Sequence, residues 1–173
     1  RKGELADGFV FIPGGPFVAG GDPSAPNGSP RRKVRLGAFA LGRHPVTLQA
    51  FEAFLADGGT AAGFSCWRGP DSLSEMERRR LPALGISRPA AEAYAAWLGR
   101  ATGGTCRLPR HDEWSKAARG VDGRIFPWGS TWEPTNCNGP DAVSTAPAPR
   151  PVGSHPADTS VYGVQDLAGG VCE

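Results

Sequence analysis

The chain is poor in the residues that usually announce chemistry. Among 173 residues there are three histidines, four cysteines, two tyrosines and one methionine. The cysteines, Cys66, Cys106, Cys137 and Cys172, lie far apart with no C-x-x-C pair. That spacing excludes a zinc ribbon and a thioredoxin-type redox motif. Four dispersed thiols are expected as buried or half-buried groups in a reducing compartment, so a cytoplasmic location is favoured over export. One or two disulfides in an exported chain is the rival, and sequence cannot choose among the three pairings of four cysteines. His44, His111 and His155 form no H-x-x-x-H pair, so no helical metal motif is present. No apolar run approaches the length needed to span a bilayer. Charge of either sign is not in surplus: 19 Lys and Arg against 17 Asp and Glu leave +2. Neither nucleic acid nor a membrane is therefore expected as the main partner.

Glycine and proline are plentiful, at 25 and 17. With 39% hydrophobic residues and 21% charged, this composition describes one globular domain rich in turns and loops. Phe9–Ile12 reads as a strand that Pro13-Gly14-Gly15 ends, and Phe17-Val18-Ala19 as its hairpin partner. Arg31, Arg32, Lys33 and Arg35 follow; they read as the wet face of an edge strand rather than an anion patch. Phe39 to Gly42 continues as strand. Thr47 is placed to cap a helix whose apolar stripe is Phe51, Phe54 and Leu55, stopped by Gly58-Gly59. Phe64, Cys66 and Trp67 suggest an aromatic–sulfur cluster, and Ser74 to Arg80 a charged helical turn. Leu84-Gly85-Ile86 reads as a short strand, and Ser87 caps a helix carrying Ala90, Tyr94, Trp97 and Leu98. In the next helix Trp114, Ala117 and Ala118 share a face, and Gly120 and Gly123 end it. Trp114 and Trp128 are expected as core anchors, and Thr131 to Pro156 as loop.

The stretch Thr105 to Gly129, TCRLPRHDEWSKAARGVDGRIFPWG, carries a resemblance. Its RLP-x-x-x-EW-x-x-AARG followed by FPWG resembles the signature of the formylglycine-generating-enzyme/sulfatase-modifying-factor family. GFVFIPGGPFVAGG, KVRLGAFALGRHPVTLQAFEAFL, RPAAEAYAAWLGR and RPVGSHPADTSVYGVQDLAGGVCE resemble further family segments in the family's order. The resemblance implies an α+β, C-type-lectin-like fold of low regular secondary structure, with two to three short helices and short antiparallel strands. It covers residues 1–173 as a single domain that ends before the family's C-terminal segment.

The resemblance also implies structural calcium, with Asn136 and the Cys137 carbonyl as ligands. Asp141 can add a carboxylate, since calcium takes about six to eight oxygens. An Asx-turn explains Asn136 without metal. Glu173 keeps its place near a second family site, where Gly170 and Cys172 stand in for an asparagine and a tryptophan. Arg110 occupies the family's capping threonine position and cannot accept a hydrogen bond, whereas Glu113 is retained.

The family's copper-binding cysteine pair belongs to the segment after this chain's last residues, and related sulfoxide synthases bind iron through three histidines. Copper and iron are not expected in this chain alone. The favoured reading is a non-catalytic lectin-type domain that binds a ligand or protein. The alternatives are the N-terminal part of a metal-dependent oxidase of the family, and a scaffold subunit completed by another chain. Expected partners are a protein or the chain's own C-terminal segment, with self-association as the alternative, because an open strand edge recruits partners.

Overall fold

In the computed structural model, residues 8–23, 28–60, 64, 69–139 and 148–170 are described. Strands β1 (Phe9–Ile12), β2 (Gly15–Ala19), β3 (Arg32–Leu36) and β4 (Phe39–Gly42) come first. The helices α1 (Leu48–Ala56), α2 (Glu75–Arg79), α3 (Arg88–Ala101) and α4 (His111–Arg119) follow, then a 3-10 turn at Pro134–Asn136. The remainder of the described chain is turn and loop, as its glycine and proline content requires.

The strands do not pair as the sequence suggests. β1 pairs with β4 and β2 with β3, both antiparallel, so β2 is not the hairpin partner of β1. Pro13-Gly14 does not reverse the chain, since the strands on either side of it pair with β4 and β3. It bends one long strand instead, and Gly37-Ala38 bends its partner opposite. Register is kept across the bend: Ile12 faces Phe39, and Gly15 faces Leu36 three residues further along each strand. A Cβ on Gly14 would lie 3.0 Å from the Ala38 nitrogen, so the two chains approach closely there.

Helix boundaries follow the capping chemistry. The Thr47 hydroxyl accepts the Ala50 N–H at 3.2 Å, and Ser87 does the same for Ala90 at 3.4 Å. Ser74 and Glu77 form a reciprocal capping box that closes the single turn α2. α4 has no side-chain cap from Arg110, but the Glu113 carboxylate accepts the Arg110 N–H at 2.8 Å. Gly120, at φ 70°, ends that helix. Leu84-Gly85-Ile86 is not a strand; Leu84 makes an isolated bridge, and another joins Thr47 to Pro82.

Two apolar clusters form. In one, Phe51, Phe54, Ala90 and Tyr94 are buried, with Phe64 and Trp97 packed against them. Neighbouring ring centroids there lie 5.0 to 5.8 Å apart. Cys66 and Trp67, expected beside Phe64, lie outside the described residues. In the other, Val10, Ile12, Ala117 and Val164 are buried, with the half-buried Phe39, Leu41, Tyr162 and Leu167 packed against them.

α4 buries Ala117 and Ala118, as their spacing suggests, while Trp114 is only half-buried. Glu113, Ser115 and Lys116 are buried as well. Two charged residues therefore face inward. Glu113 receives both guanidinium nitrogens of Arg107 at 2.7 Å. Lys116, 1% exposed, sends its ammonium to the Pro13 carbonyl at 2.6 Å, at the bend of the ribbon. Trp128 is also half-buried, stacked on Phe126 with centroids 5.2 Å apart, and donates its indole N–H to the Thr131 carbonyl.

Candidate functional site

The loops of residues 148–170 have no regular structure, so side chains fix them. Asp158 is 1% exposed and accepts the Ala168 N–H at 2.9 Å. Its own carbonyl accepts the Asp166 N–H at 3.0 Å. Burial pushes the Asp158 carboxyl up, and the N–H groups of Ala168 and Leu167 pull it back. The Ser160 hydroxyl accepts the N–H groups of Tyr162 and Val164. These bonds close the loop on itself.

The loop is then fastened to the rest of the domain. The Gln165 N–H donates to the Arg43 carbonyl at 2.8 Å. The Val152 N–H donates to the Arg80 carbonyl, and the Arg80 guanidinium returns a bond to the Val152 carbonyl at 2.7 Å. Asp166 is held at φ 59°, a conformation unusual for a residue with a side chain, and its carboxylate takes the Gly153 N–H at 2.7 Å. His44 Nδ1 lies 3.5 Å from the same carboxylate, buried and without a hydrogen-bond partner.

Between these anchors lies a narrow cleft, partly open to solvent, with a volume of about 30 Å³. Pro45, Pro82 and Pro151 give it rigid apolar walls, and Arg150, His155, Asp158 and Asp166 its polar groups. Residues distant in sequence meet here, on loops held by named bonds, which is the usual construction of a binding site. A ligand at the cleft would meet the Arg150 cation, the Asp166 carboxylate and proline rings together, a set suited to a small charged group or peptide segment.

The residues expected to hold calcium are only partly described. Asn136 ends the 3-10 turn half-buried, and its side-chain amide makes no hydrogen bond among the described residues. Cys137 is buried, and burial pushes its thiol up. Asp141 and Glu173 lie outside the described residues. Of the expected ligands, only Asn136 and the Cys137 backbone lie among the described residues, two donors where calcium takes about six to eight. No three His, Cys, Asp or Glu side chains converge on a metal-sized site among the described residues. His44, His111 and His155 are therefore not brought together as a triad.

Sequence reasoning did not find Asp158, Asp166 or Arg150. The segment could be read only as a match to a family pattern, since a loop has no periodicity to show which carboxylate turns inward.

The model of the sulfatase-modifying factor enzyme 1-like domain matches residues 1–173. Hercynine oxygenase of Mycolicibacterium smegmatis is 33% identical over 98% of this chain and 45% of its own length. The inactive C-alpha-formylglycine-generating enzyme 2 of Mus musculus is 30% identical over 95% of this chain and 67% of its own length. The structure of PvdO from Pseudomonas aeruginosa superposes with a TM-score of 0.71 at 27% identity, over 92% of this chain and 66% of that one. The chain thus spans about half the length of the hercynine oxygenase it matches and two-thirds of the others. Matched by the family model along its whole length, this chain belongs to the sulfatase-modifying factor enzyme 1-like domain family.

Proposed function

We propose that this domain is a non-catalytic ligand-binding module of the family, working through the cleft between Pro45, Pro82 and the loops of residues 150–170. The observation that carries the reading is the way the cleft is built. Its polar groups are set on loops that Asp158, Arg80 and Asp166 lock in place, so a ligand meets a surface already ordered. Kinship with a relative named as inactive is in keeping with it. Calcium held by Asn136 and the Cys137 carbonyl, with Asp141, would stiffen the neighbouring loop and take no part in chemistry.

The second reading is part of a metal-dependent oxidase, favoured by the 33% identity to a hercynine oxygenase. It needs copper or iron ligands from outside the described residues, because none converge within them.

One experiment can overturn the first reading. The protein is incubated with copper, oxygen and a Cys-x-Pro-x-Arg peptide, and the peptide mass is followed. No conversion of thiol to aldehyde is expected, and turnover above a protein-free control would overturn the binding-module reading. Alongside it, a panel of free amino acids and dipeptides is screened for a rise in melting temperature. At least one zwitterion should stabilise the protein, and Arg150→Gln with Asp166→Asn should abolish that effect.

A further inference from the structure

The two edges of the bent ribbon differ. On the β2 side, the Val18 N–H is spent outward on the Val121 carbonyl at 3.2 Å. Val18 faces Lys33 across the ladder, so that pair does not exchange hydrogen bonds. Alternation then sets the rest. Phe17 and Val34 bond across the ribbon, while the backbone groups of Lys33 and Arg35 point away from β2. Pro16, opposite Arg35 and lacking an N–H, fits the same phase. Among the described residues no backbone group covers that outer edge of β3.

The side chains along the edge form two rows. Lys33 and Arg35 are exposed on one face, with Arg31 continuing the row, and none has an ion-pair partner among the described residues. Arg32 is on the other face and is already paired with Asp112 at 2.6 Å. Val34 and Leu36 are half-buried beside it.

We infer that the outer edge of β3 is a docking site for an extended acidic segment of a protein partner, added as a third strand. The backbone of Lys33 and Arg35 would supply the ladder bonds. Cross-strand neighbours on one face lie about 5 Å apart. Alternate glutamates of the incoming strand would therefore stand opposite Lys33 and Arg35. The residues between them would lie on the face of Val34 and Leu36, so they should be apolar. The same cations oppose a second copy of this chain, because like charges would be set side by side. The partner is accordingly a different, acidic strand. This surface lies on other elements than the loop-built cleft, so either proposal can fail alone.

The test uses a fluorescein-labelled Ser-Glu-Val-Glu-Val-Glu-Ser peptide and fluorescence anisotropy at low salt. Saturable binding is expected, with Lys in place of Glu abolishing it. Lys33→Glu with Arg35→Glu should weaken binding by about tenfold or more. Arg35→Pro removes one outward N–H and leaves the β2–β3 bonds intact, since proline is tolerated on an outward edge. It should weaken binding more than Arg35→Gln, which removes only the charge. Circular dichroism of each variant confirms the fold. Absence of binding at about 1 mM peptide would overturn the proposal. So would equal affinities for Arg35→Pro and Arg35→Gln, which would mean charge alone holds the peptide. Tighter binding of a single-stranded oligonucleotide, insensitive to the proline, would overturn it in favour of a phosphate surface.

Discussion

Around Phe51 this molecule buries rings; around Lys116 it buries charges. The first cluster joins α1 to α3 through Phe51, Phe54, Tyr94 and Trp97, and its stability comes from removing apolar area from water. The second joins the ribbon to α4 and the loops of residues 158–167. Its four buried apolar residues are smaller, and three charged side chains are buried in the same half of the chain: Glu113, Lys116 and Asp158. A helix with neighbours of its own period can close a core with rings alone. A bent ribbon and irregular loops leave carbonyls and N–H groups pointing inward, and these need polar partners. Lys116 serves the Pro13 carbonyl, Asp158 the Ala168 N–H, and Glu113 the Arg110 N–H.

The largest effect should come from the ring cluster. Phe51 is 1% exposed and touches Phe54, Phe64 and Tyr94. Phe51→Ala should cost about 3–5 kcal/mol in urea denaturation. A loss as small as that of a surface substitution would show that the charged half sets the stability.

Next is Lys116→Met, which keeps the length of the side chain and removes the ammonium. The Pro13 carbonyl then lacks its donor at the ribbon bend, and a loss of about 1–3 kcal/mol is expected. Burial, and then Arg35, depress the lysine's pKa, so holding the charge there has a cost. If the methionine variant is as stable as the parent, that cost equals what the bond contributes, and the comparison between the two halves weakens.

Glu113 gives a smaller effect with a pH signature. Its pKa is lowered to about 2, chiefly by hydrogen bonds from Arg107 and also by the Arg110 N–H. A folded pKa below the unfolded one adds stability at neutral pH. That contribution disappears as pH falls from about 4.5 to about 2. Glu113→Gln should therefore cost about 1–2 kcal/mol at pH 7, with the cost shrinking as pH falls and gone only below the folded pKa. Parallel stability curves for the two proteins across that range would remove Glu113 from the account.

The same contrast explains what the sequence showed. α1 and α3 were legible because Phe51, Phe54, Tyr94 and Trp97 recur at helical spacing and Thr47 and Ser87 announce their starts. The face of α4 was legible in part. Ala117 and Ala118 are buried, but Trp114 is half-buried, and Glu113 and Lys116 turn inward, the first to nearby Arg107 and the second to the distant Pro13 carbonyl. The strand pairing failed for a related reason. Pro13-Gly14 looks like a turn locally, and only the unbroken register with β4 and β3 shows it to be a bend. The family pattern carried the overall architecture. It could not show that Asp158 and Asp166 shape a cleft, because that depends on backbone bonds between loops.

The smallest effect concerns calcium, and it extends the contrast to the region after α4. If polar groups order the irregular half, a cation there should add to the same account. Asn136 holds an amide unspent on any described residue, next to the Cys137 carbonyl, and Asp141 would supply charge. Calcium at about fivefold its dissociation constant stabilises the folded state by about 1 kcal/mol. For a chain of this size that raises the melting midpoint by about 2–4 °C over a chelator control. Magnesium should not replace it, since it demands a tighter octahedral shell of oxygens. Asn136→Ala should erase the increment while leaving the chelated midpoint near that of the parent. An unchanged midpoint with calcium would mean that Asn136 closes an Asx-turn and holds no metal. An increment that survives Asn136→Ala would move the site elsewhere, with Glu173 the next residue to replace.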